Sequence, residues 1–199
     1  FYCNPNNPVG TAVSGAETKA YLSTLLKQSP NTTVLVDEAY FEYATMPGYE
    51  TMIPLAVENP RVVVARTFSK CFGMAGLRIG YAIAHKDTIA KMEAWESIDS
   101  ISIMALQGAR AAMAVPASWV AAEQRRNAEA RAFTMKWFAD RGYTPTDSQT
   151  NFMFVDIKRP SKGFREACAR EGVLIGRDFP PYDTTHARIS VGTLADMQR

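Results

Sequence analysis

The chain is poor in the residues that build disulfide and metal sites: 3 cysteines and 2 histidines in 199 residues. Cys3, Cys71 and Cys168 are odd in number and far apart, with no Cys-x-x-Cys or Cys/His pattern. His85 and His186 are equally distant from each other, so no zinc site or disulfide framework is expected. Three unpaired thiols suit a reducing compartment, and the cytoplasm is the expected location. No apolar run approaches the ~20 residues of a membrane span, so a membrane partner is not expected. A bias toward one sign of charge is lacking too. The net charge is +2, lysines and arginines are scattered, and the Arg125-Arg126 pair reads as a solvated helix face. Nucleic acid is therefore not an expected partner. There is no internal repeat, low-complexity segment or signal peptide. Phe1-Tyr2-Cys3 reads as the end of a buried strand and not as a natural start. The chain is thus expected to be a piece of a longer protein whose N-terminal part, with any targeting sequence, lies outside it.

What is present is an ordinary globular composition, 47% hydrophobic, enough for one domain or one domain plus a small one. Ser14-Gly15-Ala16-Glu17 is a capping box that opens a helix to about Gln28. Val34-Leu35-Val36, ending in Asp37, reads as a buried parallel strand. Residues 41–60, with Pro47-Gly48, Pro54 and Asn59-Pro60, read as loop. Val62 to Ala65 and Ile79 to Ala84 are further strands, and Asp87 is the expected cap of a helix over residues 88–97. This strand–helix alternation predicts an α/β unit with a mostly parallel sheet. A helix follows over residues 101–113, then a long one opened by Pro116 and ended by Gly142. The remainder reads as a small α+β unit: strand 151–156, helix 163–171, strand 173–175, strand 187–191. The boundary is placed near Pro116, giving units 1–115 and 116–199.

Three segments carry chemistry. Residues 66–81 place Lys70 after Ser69 in a glycine-punctuated loop, with Arg78 eight positions on. Asp37-Glu38-Ala39-Tyr40 ends an apolar strand with acids and a tyrosine. Asn4-Pro5-Asn6-Asn7-Pro8-Val9-Gly10 is a rigid turn. Together they offer what a pyridoxal 5′-phosphate (PLP) enzyme needs: an amine for the aldehyde, an anion for the pyridine nitrogen, donors for the phenolic oxygen and a cation for the phosphate. Lysine forms imines readily only when burial or nearby cations lower its pKa, and Arg66 and Arg78 are the candidate neighbours. Thr67 and Ser69 add hydroxyls. Gly73, Gly76 and Gly80 permit close backbone approach or simply form turns. Asp37 is either the partner of a pyridinium or a cap or ion-pair residue. Tyr40 either donates to the cofactor or packs in the core, and Asn7 either presents its amide or only shapes its turn.

The ordered set Asn7-Pro8-Val9-Gly10, Asp37-x-Ala39-Tyr40, Ser69-Lys70 and Gly76-Leu77-Arg78-x-Gly80-Tyr81 resembles the fold-type I PLP aminotransferases. Residues 3–10 and the Arg188-Ile189-Ser190-Val191-Gly192-Thr193 run are similar to the histidinol-phosphate aminotransferase branch. The resemblance covers nearly the whole chain. It implies a partial large PLP-binding domain and a small α+β C-terminal domain whose last helix is incomplete. By the same resemblance Lys70 carries PLP as a Schiff base and moves the proton. Asp37 pairs with the ring nitrogen, Asn7 and Tyr40 bind the phenolic oxygen, and Thr67, Ser69 and Arg78 hold the phosphate. Arg188 grips the substrate carboxylate or a corresponding anion, and Asn151, at a strand start, either supports the residues around the substrate or contacts it. The implied partners are an amino donor, a 2-oxo acid such as 2-oxoglutarate and, at full length, a second copy of the chain. The piece alone is expected to bind PLP weakly and to have little activity. Cys71, beside Lys70, is a packing residue or an oxidation-sensitive thiol.

Other readings compete. A PLP-dependent decarboxylase or lyase shares the same catalytic core. A nucleotide-binding module is disfavoured, because Gly73-x-x-Gly76-x-x-x-Gly80 is neither a dinucleotide fingerprint nor a P-loop and precedes a strand instead of following one. A catalytically incomplete partner subunit is the remaining alternative.

Overall fold

The computed structural model describes residues 1–95 and 101–199. Its first layer is a four-stranded sheet in sequence order: β1 (Tyr2–Cys3), β2 (Val34–Asp37), β3 (Val62–Thr67) and β4 (Gly80–Ala84). β1, β2 and β3 are mutually parallel, whereas β4 runs antiparallel to β3. The segment that carries Lys70 therefore reverses the chain at the carboxyl end of β3. Asp37 ends β2 at that same edge, level with Ala65 of β3 and Cys3 of β1. Parallel strands open their ligand crevice at this end.

Helix α1 (Gly15–Gln28) starts at the capping box read from sequence. Ser14 accepts from the Glu17 amide, and the Glu17 side chain bonds back. Leu22 and Leu26 of α1 pack with Val34, Val36, Val62 and Val64 into the core beneath the sheet. The stretch expected to be loop holds two short helical pieces, a 3-10 turn at Phe41–Tyr43 and α2 (Ile53–Glu58). Pro54 lies in the first turn of α2, where its missing N–H costs nothing, so it opens a helix where it was expected to break one. The Glu38 carboxylate accepts from the Met52 amide at the head of α2. Helix α3 (Lys86–Glu93) is capped by His85, whose ring accepts from the Asp87 amide, and Asp87 itself falls inside the first turn instead of being the cap. The end of the expected helix, residues 96–97, lies outside the described residues.

Helices α4 (Ile103–Met113) and α5 (Ala117–Ala139) follow, with Pro116 at the N-cap of α5. The second sheet is antiparallel, β5 (Thr144–Pro145), β6 (Phe152–Asp156) and β7 (His186–Ser190). Met153, Val155, Ala187 and Ile189 bury against Ala130 and Phe138 of α5. Helix α6 (Ser161–Arg170) and a short α7 (Leu194–Met197) complete the unit. The strand expected at residues 173–175 does not form. Gly172, at φ 80°, ends α6, its amide donating to Ala169 O at 3.1 Å and the Val173 amide to Cys168 O at 2.9 Å. This is the bond pair of a Schellman cap, which spends the N–H that a strand would need. Leu174 is left 88% exposed.

Candidate active site

A cleft of about 620 Å³ opens at the carboxyl ends of β2 and β3, and Asn7, Asp37, Tyr40, Thr67, Ser69, Lys70 and Arg78 all line it. Lys70 is held between two buried anchors, Phe68 and Cys71. The Ser69 amide donates to Thr67 Oγ1 at 3.0 Å and the Gly73 amide to Lys70 O at 3.0 Å, so the loop is fixed on both sides of the lysine. Gly80 lets this reversal close, because a Cβ there would sit 2.6 Å from Arg66 O. Lys70 Nζ stands 5.2 Å from the centre of the Tyr40 ring. Burial holds the Lys70 amine below the ordinary lysine range. The Arg188 and Arg78 cations add to this, and Asp37 opposes it.

Of the two arginines expected beside Lys70, only Arg78 acts on it. Arg66 is committed to Glu38, with Nη2 at 2.8 Å and Nε at 3.0 Å from Glu38 Oε2, and its guanidinium lies 3.7 Å over the Phe41 ring. Glu38 is 1% exposed and also accepts from Thr51 Oγ1 at 2.8 Å and from the Met52 amide at 2.6 Å. Arg78 adopts a left-handed backbone, φ 53° and ψ 50°, after the Ala75–Leu77 turn. A non-glycine residue there carries a conformational cost of order 1 kcal/mol, of the kind that collects at functional sites. Asp37 accepts from the Ala39 amide at 3.0 Å through Oδ1.

Asn7 sits in a turn closed by the Gly10 amide on Asn6 O at 2.8 Å. Its Oδ1 accepts from Arg188 Nη1, also at 2.8 Å, leaving the Asn7 NH2 group as the donor. Arg188 comes from β7 in the second sheet. Its guanidinium carbon lies 4.8 Å from the ring centres of both Phe152 and Phe179. Burial lowers its pKa from the usual guanidinium value, Tyr40 opposes that, and Arg177 adds to it. Arg188 Nε is buried without a hydrogen-bond partner. Asn151 is not brought to the cleft wall, and its carbonyl accepts from the Val191 amide at 2.8 Å. Cys71 is a packing residue: it is buried with Tyr40, Tyr43 and Phe152, and burial pushes its thiol up to about 12.

Three contributors were not singled out from sequence. Phe152 meets Tyr40 edge-on at 5.2 Å and supports Arg188. It follows Asn151 directly, and only the packing of β6 against the Tyr40 segment distinguishes the two positions. Glu38 was passed over because its partner Arg66 lies on another strand. Cys3 lines the cleft level with Asp37, and its thiol is raised first by burial and then by that carboxylate. Among the described residues no cluster of His, Cys, Asp and Glu could hold a metal ion.

A lysine, a strand-end carboxylate and several anion-binding groups gathered at the carboxyl edge of a parallel sheet define a fold-type I transferase. The chain belongs to the family "Aminotransferase class I and II", whose model matches residues 1–199. It is 39% identical over 192 residues to a histidinol-phosphate aminotransferase of Staphylococcus carnosus, covering 96% of this chain and 51% of that protein. Among solved structures it resembles the Sinorhizobium meliloti histidinol-phosphate aminotransferase in complex with pyridoxal-5′-phosphate. That match has a TM-score of 0.86 and 28% identity, over 98% of this chain and 53% of the other. It also resembles the L-threonine-O-3-phosphate decarboxylase of Porphyromonas gingivalis, with a TM-score of 0.82 and 25% identity, over 98% of this chain and 60% of that one. The chain spans about half the length of the curated relatives it matches.

Proposed function

We propose that the protein to which this chain belongs is a PLP-dependent aminotransferase. It moves an amino group between an amino donor, an amino acid or a histidinol-phosphate-like amine, and a 2-oxo acid such as 2-oxoglutarate. The observation that carries this is the convergence of Lys70, Asp37, Tyr40, Asn7 and Arg78 on one cleft. The donor set fits the cofactor in charge as well as in kind. Lys70 feels the Arg188 and Arg78 cations against a single carboxylate, Asp37, an excess of positive charge suited to a phosphate and a substrate carboxylate. When bound, PLP supplies an aldehyde that condenses with amines and a pyridinium ring that withdraws electrons from the attached carbon.

The roles follow from the side chains. Lys70 Nζ, deprotonated more readily than an ordinary lysine, is the nucleophile and then the base that holds the proton taken from the substrate Cα. Asp37 binds the ring N–H and keeps that nitrogen protonated. The Asn7 amide and the Tyr40 hydroxyl bind the phenolic oxygen. Thr67, Ser69 and the Arg78 fork hold the phosphate. Arg188 orients the substrate by its anionic group. Asn151 is proposed only as an indirect contributor through β6. The working form is a homodimer in a reducing compartment such as the cytoplasm. No helix among the described residues is long and apolar enough to cross a membrane.

The test is the absorption spectrum of the full-length protein with PLP, followed by borohydride reduction and peptide mapping. Label on Lys70, absent in Lys70→Ala, supports the reading, whereas label elsewhere or none sinks it. A second reading, decarboxylation, draws on the similarity to the P. gingivalis enzyme. Product analysis separates the two: a 2-oxo acid or ketone for transamination, carbon dioxide for the alternative.

A further inference from the structure

Arg131 is a buried charge that the cleft does not use. It lies in the middle of α5 and is 5% exposed. Burial pulls its pKa below the ordinary guanidinium value, with Asp147 opposing. All its hydrogen-bond acceptors are uncharged. Nη1 donates to Tyr43 O at 3.3 Å and to Thr150 O at 3.0 Å, and Nη2 donates to Thr45 Oγ1 at 3.1 Å. Burying a cation on neutral carbonyls and a hydroxyl is a costly way to anchor a helix. A rigid fork that must reach two chain segments at once gives a reason for it. Gln149 ties the same segments with its amide. Its side-chain Oε1 accepts from the Thr45 and Met46 amides, both at 2.9 Å, and its backbone N–H donates to Gly10 O at 2.8 Å.

Three pieces of the site therefore meet here, two through these side chains and the third, Gly10, through the Gln149 backbone. Residues 43–46 follow Tyr40, Gly10 closes the turn that presents Asn7, and residues 148–150 lead into β6. Phe152, the first residue of β6, is the platform that touches both Tyr40 and Arg188. The groups facing the cofactor side come from residues 7–78, and Arg188 comes from the second sheet. The distance between them has to be set by whatever joins the two.

We propose that Arg131 and Gln149 form a latch that sets Arg188 over the cleft, which makes them positioning residues for the anionic group of the substrate. This rests on the aminotransferase reading above. Gln149 offers the cleaner test, because Gln149→Leu removes the acceptor of two backbone N–H groups and Gln149→Glu keeps it. In the PLP-loaded, full-length protein, PLP affinity is read by absorbance titration and 2-oxoglutarate affinity by calorimetry.

Gln149→Leu is expected to weaken 2-oxoglutarate about tenfold, equivalent to ~1.4 kcal/mol, with PLP affinity unchanged. Gln149→Glu is expected to restore most of the loss. Equal loss of both ligands in Gln149→Leu, or an unchanged 2-oxoglutarate affinity, would overturn the latch. A parent protein that takes up no PLP yet binds 2-oxoglutarate through Arg188 would overturn the aminotransferase reading instead, and the same variants would still decide the latch.

Discussion

An amine partly buried near two guanidinium groups gives up its proton early, and Lys70 is in that position. Burial and the Arg188 and Arg78 cations disfavour its ammonium form, and Asp37 favours it. Arg188→Met should therefore raise the midpoint of Lys70 labelling by an amine-reactive reagent, and Asp37→Asn should lower it. A pH series of labelling with peptide mapping checks both directions. Linkage has the matching sign. Between the lowered folded value and the ordinary lysine value, the unfolded chain holds the proton more tightly, so this group's contribution to stability rises with pH across that window. Of the two readings of Cys71, its burial with Tyr40, Tyr43 and Phe152 favours the packing residue. With its thiol pushed up to about 12 and its side chain buried, it should resist iodoacetamide and peroxide at neutral pH until the protein unfolds. Equal peroxide tolerance of Cys71→Ser and the parent is the expected result.

Among the elements, the most exposed to mutation is the join of β2, β3 and α2 through Glu38. Removing one partner of a buried pair strands the other, so Glu38→Gln should cost about 3 kcal/mol in urea unfolding. The turn before α1 is a second point of strain. Gly10 has φ 86°, and a Cβ there would lie 2.8 Å from Ser148 Oγ. Gly10→Ala should destabilise by roughly 1–3 kcal/mol and weaken PLP binding through Asn7. Ser14→Ala, at the α1 cap, should cost about 1 kcal/mol and leave PLP binding alone. Strands β1 to β4, β6 and β7 and helix α1 were legible in the sequence, because apolar runs and a capping box act locally, whereas the two-residue β5 was not. Helix α2 and the irregular residues 173–175 were not. The first depends on Glu38 reaching across from another strand, and the second on a helix cap consuming the Val173 amide.

At the scale of the molecule, each sheet has an apolar core, and a smaller cluster of Tyr40, Tyr43, Cys71 and Phe152 packs the segment after β2 against β6. Phe152→Ala should lower stability by about 3 kcal/mol and weaken 2-oxoglutarate more than PLP, measured by urea unfolding beside ligand titration. The cleft's lining was legible because its residues sit in short motifs whose order carries the signal. The join between the two sheets was not. Arg131, Gln149 and Phe152 gain their meaning only from distant partners, such as Tyr40, 112 positions from Phe152. That triple contact has an evolutionary consequence. Tyr40, Phe152 and Arg188 touch as a set, the ring edge on one face and the guanidinium on another. A lineage that exchanges one of them inherits a misfit at the other two, so across homologues these three positions should covary, changing together when substrate preference changes.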